Sequence, residues 1–336
     1  MRKFLSIIAI ALFGFMLAGC SEDEGTSEAE GKEADKVKVA YMPNYASLNT
    51  VVAGMQIGAF EEQGIEVELV EFADGPTIIA ALESGSIDVG YIGPGAHVLP
   101  IQGEAEIFAF SQLGNADEVI GSSEKGVKTI EDLKGKTIAV ATGTSSETIL
   151  DLTLAEVGLT KDDVTLMNMD ASAIVTAMIS GSVDAVATWS PNTNAIKNEM
   201  GDDAVMLSNN ARYADQFPSI ASWLVKPGYA EKNEDVLVRF TKGLYKGMDY
   251  RVDNLEEVAK WVAEEIAVDP DAVVQQTGDG EWITQDQLMT MIEDGTLEAY
   301  YKKQQENFKD AGRLKEEEMR PVEEYVLFNI MKDAAK

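Results

Sequence analysis

Residues 81–89, ALESGSIDV, recur further along the chain as residues 177–185, AMISGSVDA. The two nonapeptides share five identities, and three of the four other positions exchange one apolar residue for another. In each copy an apolar helical segment stops at a glycine and a strand begins, and each strand then runs towards a proline, Pro94 or Pro191, that can open a helix. The repeat predicts two related α/β halves, although chance reuse of a common helix–glycine–strand unit is an alternative.

Alternating and apolar runs predict the elements around this repeat. Residues 37–41 and 65–72 alternate apolar and polar side chains, which is typical of half-exposed strands. Shorter apolar strands are predicted at 87–92, 107–111, 137–141, 164–169 and 183–189, and helical spacing occurs over 51–60, 149–157, 236–250 and 314–331. The order predicts an α/β fold with mainly parallel strands, arranged as two lobes with a cleft between them.

Composition excludes several classes of function. The 336 residues contain 27 Lys and Arg against 58 Asp and Glu, and the formal net charge of −31 would repel a nucleic acid. One histidine and one cysteine are too few for most metal sites, disulfide frameworks and Ser/His/Asp catalysis. We therefore expect no cofactor, no metal and no enzyme activity. The single histidine, His97, is expected to be a hydrogen-bonded structural group.

The N-terminus predicts export. Arg2 and Lys3 precede an apolar run that stops at residues 17–20, LAGC, so residues 1–20 form a signal peptide. A transmembrane anchor is the alternative, but the run is shorter than the roughly 20 apolar residues that span a bilayer. Residues 17–20 resemble a bacterial lipobox, which implies that Cys20 is lipidated and holds the protein on the outer face of the cell membrane. Residues 21–36 carry seven acids and two lysines, and they predict an acidic flexible tether.

Four strand-to-helix turns are candidate ligand contacts, because helix N-termini at the carboxyl ends of parallel strands present unpaired N–H groups. The turns are residues 42–45, 93–95, 143–146 and 190–192. The candidate residues in or beside them are Asn44, Tyr45, Gly93, Pro94, Gly95, Gly143, Thr144, Ser145, Ser146 and Trp189. The turn at 143–146 combines glycine with three hydroxyls, which suits an anionic oxygen group. A capping box, in which Thr144 is the N-cap and Glu147 reaches back to its N–H, is the alternative explanation. The aromatic residues at strand ends can equally belong to the core.

Six motifs occur in one order along the chain: YMP at 41–43, EFADGP at 71–76, GSIDVG at 85–90, IEDLKGK at 130–136, TGTSS at 142–146 and WSP at 189–191. Together they resemble the periplasmic binding proteins of the aliphatic sulfonate, taurine and nitrate ABC importers, from about residue 37 to residue 310. The resemblance implies a two-lobed, type II periplasmic-binding-protein fold. Lobe 1 would combine residues 37–120 and 222–336, and lobe 2 would span residues 121–221.

The same resemblance implies a monomeric lipoprotein that captures a small anionic solute, closes about a hinge and delivers the solute to an ABC permease. Where several sulfonate binders resemble Trp-Asp-Pro, this chain has WSP at 189–191, so sulfonate, taurine, nitrate and a thiamine-precursor pyrimidine all stay open as ligands. A pyrimidine-forming enzyme of the same superfamily and a surface lipoprotein that binds another protein are the remaining hypotheses.

Overall fold

Two β-sheets of matching design organise residues 34–336, which are the residues that the computed structural model describes. The predicted signal peptide, the lipidation site Cys20 and all but the last residues of the predicted tether lie outside this range. Between residues 34 and 336, no helix is both long and apolar enough to span a bilayer.

The strands are β1 (Asp35–Tyr41), β2 (Ile65–Glu71), β3 (Val89–Ile92), β4 (Glu106–Gly114), β5 (Asp117–Ser122), β6 (Thr137–Val140), β7 (Thr165–Asn168), β8 (Ala185–Trp189), β9 (Ala204–Asn209), β10 (Ile220–Val225) and β11 (Gly280–Glu281). The α-helices are α1 (Tyr45–Gln56), α2 (Gly75–Ser84), α3 (Val98–Ile101), α4 (Ser145–Glu156), α5 (Ala171–Ile179), α6 (Asn192–Met200), α7 (Ala230–Asp253), α8 (Leu255–Glu265), α9 (Pro270–Val274), α10 (Gln285–Glu293), α11 (Thr296–Asp310) and α12 (Phe328–Ala334).

The two sheets repeat one arrangement. The first has the order β11-β4-β10-β3-β1-β2, in which β1 pairs parallel with β2 and β3 while β10 is antiparallel to β3. The second has the order β7-β6-β8-β5-β9, in which β6 pairs parallel with β7 and β8 while β5 is antiparallel to β8. The repeated nonapeptide joins α2 to β3 in one sheet and α5 to β8 in the other. The prediction of an α/β fold with two related lobes is confirmed. The prediction of mainly parallel strands needs correction, because five of the nine strand pairings within residues 34–336 are antiparallel.

The chain crosses between the lobes twice. It leaves the first sheet after β4 and enters the second at β5, and it returns between β9 and β10. We therefore define lobe 1 as residues 34–115 and 217–336, and lobe 2 as residues 116–216. The predicted boundaries at 120/121 and 221/222 need correction, because they cut through β5 and β10 and each strand belongs to the sheet with which it forms hydrogen bonds.

Side-chain caps set where the helices next to the cleft begin. Asn44 Oδ1 accepts a hydrogen bond from the Ser47 N–H at 2.9 Å at the start of α1, and Asp74 Oδ1 accepts one from the Thr77 N–H at 2.9 Å at the start of α2. The first helix therefore begins at Tyr45, before the predicted range of 51–60, since this cap is invisible to apolar spacing alone.

The C-terminal helices pack around lobe 1. α7, which bends at Asn233, buries Leu237 and Phe240 in the core. The predicted helix over 314–331 is wrong, because this segment forms two single 3-10 turns and an isolated bridge at Val326 before α12 begins. Pro321 explains the interruption, since proline has no N–H to donate within a helix.

α1 and α7 approach each other through glycine. A Cβ atom built on Gly247 would lie 2.1 Å from the Thr50 carbonyl oxygen and 2.8 Å from the Gly54 nitrogen. These distances are shorter than any ordinary non-bonded contact, so the helices pack at this separation only because position 247 has no side chain.

Gly247→Ala is expected to lower the free energy of unfolding by about 1–3 kcal/mol, because overpacking outweighs the ~1 kcal/mol by which alanine otherwise favours a helix. Gly278→Ala is the matched control, since a Cβ there meets no atom within 4 Å. Urea denaturation of both variants and the wild type measures the difference. Equal stability of all three proteins would contradict this packing.

Candidate functional site

A cavity lies between the lobes, where the strand-to-helix turns of both sheets meet. Its volume is about 670 Å³, part of which is open to solvent. Six of the ten predicted contact residues line it: Asn44, Gly93 and Pro94 from lobe 1, and Thr144, Ser145 and Trp189 from lobe 2. The other four, Tyr45, Gly95, Gly143 and Ser146, adjoin these residues in the chain but do not form the wall. The turns therefore converge as the sequence predicts, and ligand contact by the six remains a prediction.

Asn44 forms part of the cavity wall, whereas Tyr45 lies beneath it. Asn44 is 5% exposed, its Oδ1 caps α1, and residues 34–336 supply no acceptor for its Nδ2. Tyr45 is fully buried, its N–H donates to Gln276 Oε1 at 2.9 Å, and its ring packs edge-on against Trp282 at 5.3 Å between centroids. Asn44 thus keeps a free donor for the cavity, and Tyr45 supports the wall from behind.

The turn after β3, residues 93–95, presses against the start of α4. A Cβ atom built on Gly95 would lie 2.0 Å from the Thr144 carbonyl carbon and 2.1 Å from the Ser145 nitrogen. Gly95 belongs to lobe 1 and α4 to lobe 2, so the backbones of the two lobes touch here. Any side chain at position 95 would keep them apart.

Arg313 makes a second connection between the lobes. Its Nη1 donates to Thr148 Oγ1 of α4 at 2.6 Å, and its Nη2 donates to the Gly95 carbonyl oxygen at 2.9 Å. The guanidinium is largely buried, and burial lowers its pKa while Glu147 and Asp151 oppose that change. Arg313 therefore fastens the lobes in the arrangement in which Gly95 meets α4.

The hydroxyl protons at the start of α4 are all donated within the protein. Thr144 Oγ1 donates to the Ala141 carbonyl oxygen at 2.7 Å, whereas Ser145 and Ser146 donate to Asp117 Oδ1 at 2.8 and 2.5 Å. These protons are therefore not free for an anion in the structure, and contact of residues 144–146 with a ligand stays a prediction. What α4 offers the cavity is the set of first-turn N–H groups, which have no partner within the helix.

The predicted capping box at α4 also needs correction. Glu147 Oε2 accepts from the Gly143 N–H at 2.7 Å, one residue before Thr144, and the Thr144 side chain makes no capping hydrogen bond. The Thr144 hydroxyl is bonded to the Ala141 carbonyl instead, and Lys161 holds the other Glu147 oxygen at 2.8 Å. Glu147 thus orders the turn that leads into α4 through the Gly143 N–H, and not through the Thr144 N–H that the capping box predicts.

Asp117 is a buried carboxylate at the first crossing between the lobes. It is 4% exposed, its Oδ2 accepts from Asn210 Nδ2 at 3.0 Å, and its own N–H donates to Asn210 Oδ1 at 2.7 Å. Burial raises the pKa of Asp117, and hydrogen bonds from Ser146, Asn210 and Ser145 oppose that rise. Asn210 lies on the return crossing and also donates to Ser219 Oγ at 3.0 Å. One carboxylate therefore joins α4 to both crossings.

Asp279, in the segment before β11, brings another carboxylate to the cavity. Its Oδ2 is buried and has no hydrogen-bond partner among residues 34–336. Burial raises the pKa of Asp279 to about 6, and a hydrogen bond with Ser190 opposes the rise. Of the nearby charges, Glu118 and Asp117 raise this pKa further and Lys197 lowers it.

The cavity lining contains acids and aromatic rings. Asp74, Asp117 and Asp279 line it, as do Tyr91 and Trp189, and none of its described lining residues is a lysine, arginine or histidine. The cavity therefore combines free N–H donors with carboxylate acceptors.

His97 has the structural role that the sequence predicts. It is fully buried, its Nδ1 lies 3.0 Å from the Pro94 carbonyl oxygen, and its Nε2 lies 2.9 Å from Ser222 Oγ. Burial lowers the pKa of His97 to about 4, so the ring is neutral at physiological pH.

Four polar lining residues escaped the sequence analysis: Gln112, Asp117, Gln276 and Asp279. They lie near the crossings or in the C-terminal part of lobe 1, outside the repeated turns. The position of Asp117 directly before an apolar strand was the one local signal, whereas nothing near Asp279 in the sequence marks it as a cavity residue.

Comparisons with known proteins agree with this geometry. The family profile described as NMT1/THI5 like matches residues 46–258. A binding protein of Brucella abortus (strain 2308) is 31% identical over 280 residues, which cover 83% of this chain and 86% of that protein. A protein of Bacillus subtilis (strain 168) named as aliphatic sulfonates-binding is 29% identical over 271 residues, 77% of each chain. The alkanesulfonate-binding protein SsuA from Xanthomonas axonopodis pv. citri, solved bound to MOPS, has the same fold, with a TM-score of 0.70 and 20% identity over 88% of this chain and 99% of that chain.

Asp279→Asn is expected to stabilise the ligand-free protein at pH 8. The raised pKa means that the folded protein binds this proton more readily than the unfolded chain, so the carboxylate's contribution to stability falls as pH rises from about 4 to about 6. The gain at pH 8 should reach at most about 3 kcal/mol, since one pKa unit corresponds to about 1.4 kcal/mol, and it should nearly vanish at pH 4.

Urea denaturation at both pH values measures this effect. Exposed Glu281→Gln removes the same charge two residues away and should change stability by less than about 0.5 kcal/mol at either pH. A stabilisation that is equal at pH 4 and pH 8, or a loss of stability at pH 8, would contradict the burial of this carboxylate.

Proposed function

Since the chain belongs to the NMT1/THI5-like family, we propose that it is the solute-binding protein of an ABC importer and captures a small molecule in the cavity between its lobes. The observation that carries this proposal is the convergence of helix starts from two matching lobes on one cavity. The ligand enters when the lobes are apart, and the lobes then close about the two crossings.

The ligand class that we propose is the aliphatic sulfonates, with taurine as the example. The first-turn N–H groups of α4 and its helix dipole favour an anionic oxygen group, and Asn44 Nδ2 adds a free donor. The name of the Bacillus subtilis relative supports the same class. The overall charge of −31 opposes an anion at long range, but salt screens it beyond about 10 Å while the N–H groups act at contact.

A small heterocycle, such as a thiamine-precursor pyrimidine, is the second candidate. Tyr91 and Trp189 both line the cavity, and their rings can cover a flat ligand. Gln112, whose Nε2 donates to the Tyr91 hydroxyl at 2.6 Å, holds one of these rings in place.

We propose that the protein works outside the cytoplasm as a monomer and docks in its closed form on a membrane permease. The LAGC sequence at residues 17–20 supports attachment through a lipid on Cys20, with the acidic residues 21–36 as the tether. Acidic headgroups would repel so negative a protein, so the lipid has to supply the attachment.

We propose binding without catalysis. The only histidine, His97, is fully buried with both ring nitrogens hydrogen-bonded, so it cannot serve as an exposed base or be consumed in pyrimidine formation. The fold alone does not separate binders from enzymes, whereas the burial of His97 and the relatives named as binding proteins both favour binding.

Isothermal titration calorimetry against taurine, ethanesulfonate, nitrate and hydroxymethylpyrimidine tests the proposed capture. We expect one molecule bound per chain, with dissociation constants in the micromolar range or below for at least one compound. Heats of dilution alone across the panel would refute capture of these ligand classes.

Gly95→Ala is expected to weaken binding of the tightest compound of that panel at least about tenfold. The added Cβ would lie 2.0–2.2 Å from Thr144 and Ser145 backbone atoms, so the variant cannot bring its lobes fully together. The melting temperature of the ligand-free variant should stay within a few degrees of the wild type, because open lobes leave room for the methyl group. Wild-type affinity in this variant would show that closure at Gly95 is not needed.

A further inference from the structure

The acidic side chains that line the cavity do not favour the binding of an anion. Asp74, Asp117 and Asp279 line it without any lysine, arginine or histidine among its described lining residues, and each would repel a sulfonate or nitrate. The serine protons that could have offset this repulsion are already donated to Asp117. The sulfonate-binding geometry proposed above therefore leaves part of the cavity unexplained.

Asp117 and Asp279 differ in the hydrogen bonds that their carboxylate oxygens accept. Asp117 accepts hydrogen bonds from Ser145, Ser146 and Asn210, so its oxygens are occupied by the protein. Asp279 is half-buried as a residue, but its Oδ2 is buried and has no donor within residues 34–336. A buried carboxylate oxygen without a donor is costly, so its presence in a ligand cavity indicates a donor that arrives from outside the protein.

We infer that the ligand carries a positively charged nitrogen that donates a hydrogen bond to Asp279 Oδ2. This inference rests on the proposed capture function and narrows its ligand class to molecules with an ammonium or amidinium group. An aminosulfonate fits, with its oxyanion at the start of α4 and its ammonium at Asp279, and so does an aminomethyl-substituted heterocycle. Alkanesulfonates without an amine and nitrate do not fit.

The surroundings of Asp279 suit an organic cation. Trp189 lines the same cavity as Asp279, and an indole face attracts a cationic nitrogen. A metal ion is the other cation to consider, but residues 34–336 contain no group of three or more His, Cys, Asp or Glu side chains placed to hold one.

The free amide of Asn44 supports a ligand with two kinds of polar group. Only 5% of the Asn44 surface is exposed, and the residue lines the cavity. Its Nδ2 has no acceptor in the described part of the chain. Two residues that line one cavity thus carry a donor without an acceptor and an acceptor without a donor. A ligand that bears both a cationic nitrogen and an oxygen acceptor can satisfy both.

Matched pairs of compounds test the inference by calorimetry at pH 7.5. Taurine and 2-hydroxyethanesulfonate differ only in an ammonium for a hydroxyl, and aminomethylpyrimidine and hydroxymethylpyrimidine form an analogous pair. The wild type should bind the amine of at least one pair at least about tenfold more tightly than the alcohol. Asp279→Asn should reduce that preference to less than about threefold, whereas Glu281→Gln, which removes an exposed charge nearby, should retain it.

The outcomes separate this inference from the proposed function. If an alcohol binds as tightly as its matched amine, capture stands and the inference is overturned. The inference is also overturned, and capture stands, if Asp279→Asn still prefers the amine over the alcohol as strongly as the wild type does. A melting curve has to show that this variant is folded. If the wild type binds neither member of either pair, capture of these classes fails, and the inference fails with it.

Discussion

The binding geometry depends on one buried carboxylate. Asp117 stands where the chain first enters lobe 2, and it accepts hydrogen bonds from two serines of α4 and from Asn210 on the returning segment. A charge removed from water is costly unless it is hydrogen-bonded, so these donors have to stay in place for the protein to tolerate it. The start of α4, whose residues Thr144 and Ser145 line the cavity, is thereby oriented relative to both crossings. In the function that we propose, the two serines hold the helix in place and its first-turn N–H groups contact the ligand.

The cleft is built from positions that do not maximise stability. Gly95 has no side chain, and this allows the backbones of the two lobes to touch. Asp279 has a buried carboxylate oxygen without a hydrogen-bond partner. Arg313 is buried between the lobes, where it bonds Thr148 and the Gly95 carbonyl. Local costs of this kind are typical of functional sites, and they support the proposal that the cavity binds a ligand.

Much of the fold was predictable because it is local and repeated. The nonapeptide at 81–89 and 177–185 marks the same helix-to-strand step in both lobes, and the turns that it implies do converge. The strands β5, β9 and β10 escaped prediction because they lie beside the crossings and outside the repeated units. Asp279 escaped for a related reason: it reaches the cavity from the C-terminal part of lobe 1, and no spacing rule connects it to residues far away in the chain. The hydrogen bonds of the Ser145 and Ser146 hydroxyls were not predictable either, since a sequence does not show that Asp117 lies beside them.

The central claim is that the two lobes close on a small molecule, and an inter-lobe distance measures this most directly. Spin or fluorescent labels on Ala80→Cys in α2 and Ser172→Cys in α5 place one exposed probe on each lobe. Their distance distribution, recorded during titration with the tightest-binding compound, should shift from a longer to a shorter distance and saturate at one molecule per chain. A distribution that stays unchanged while calorimetry reports saturated binding would contradict closure of the lobes around the ligand.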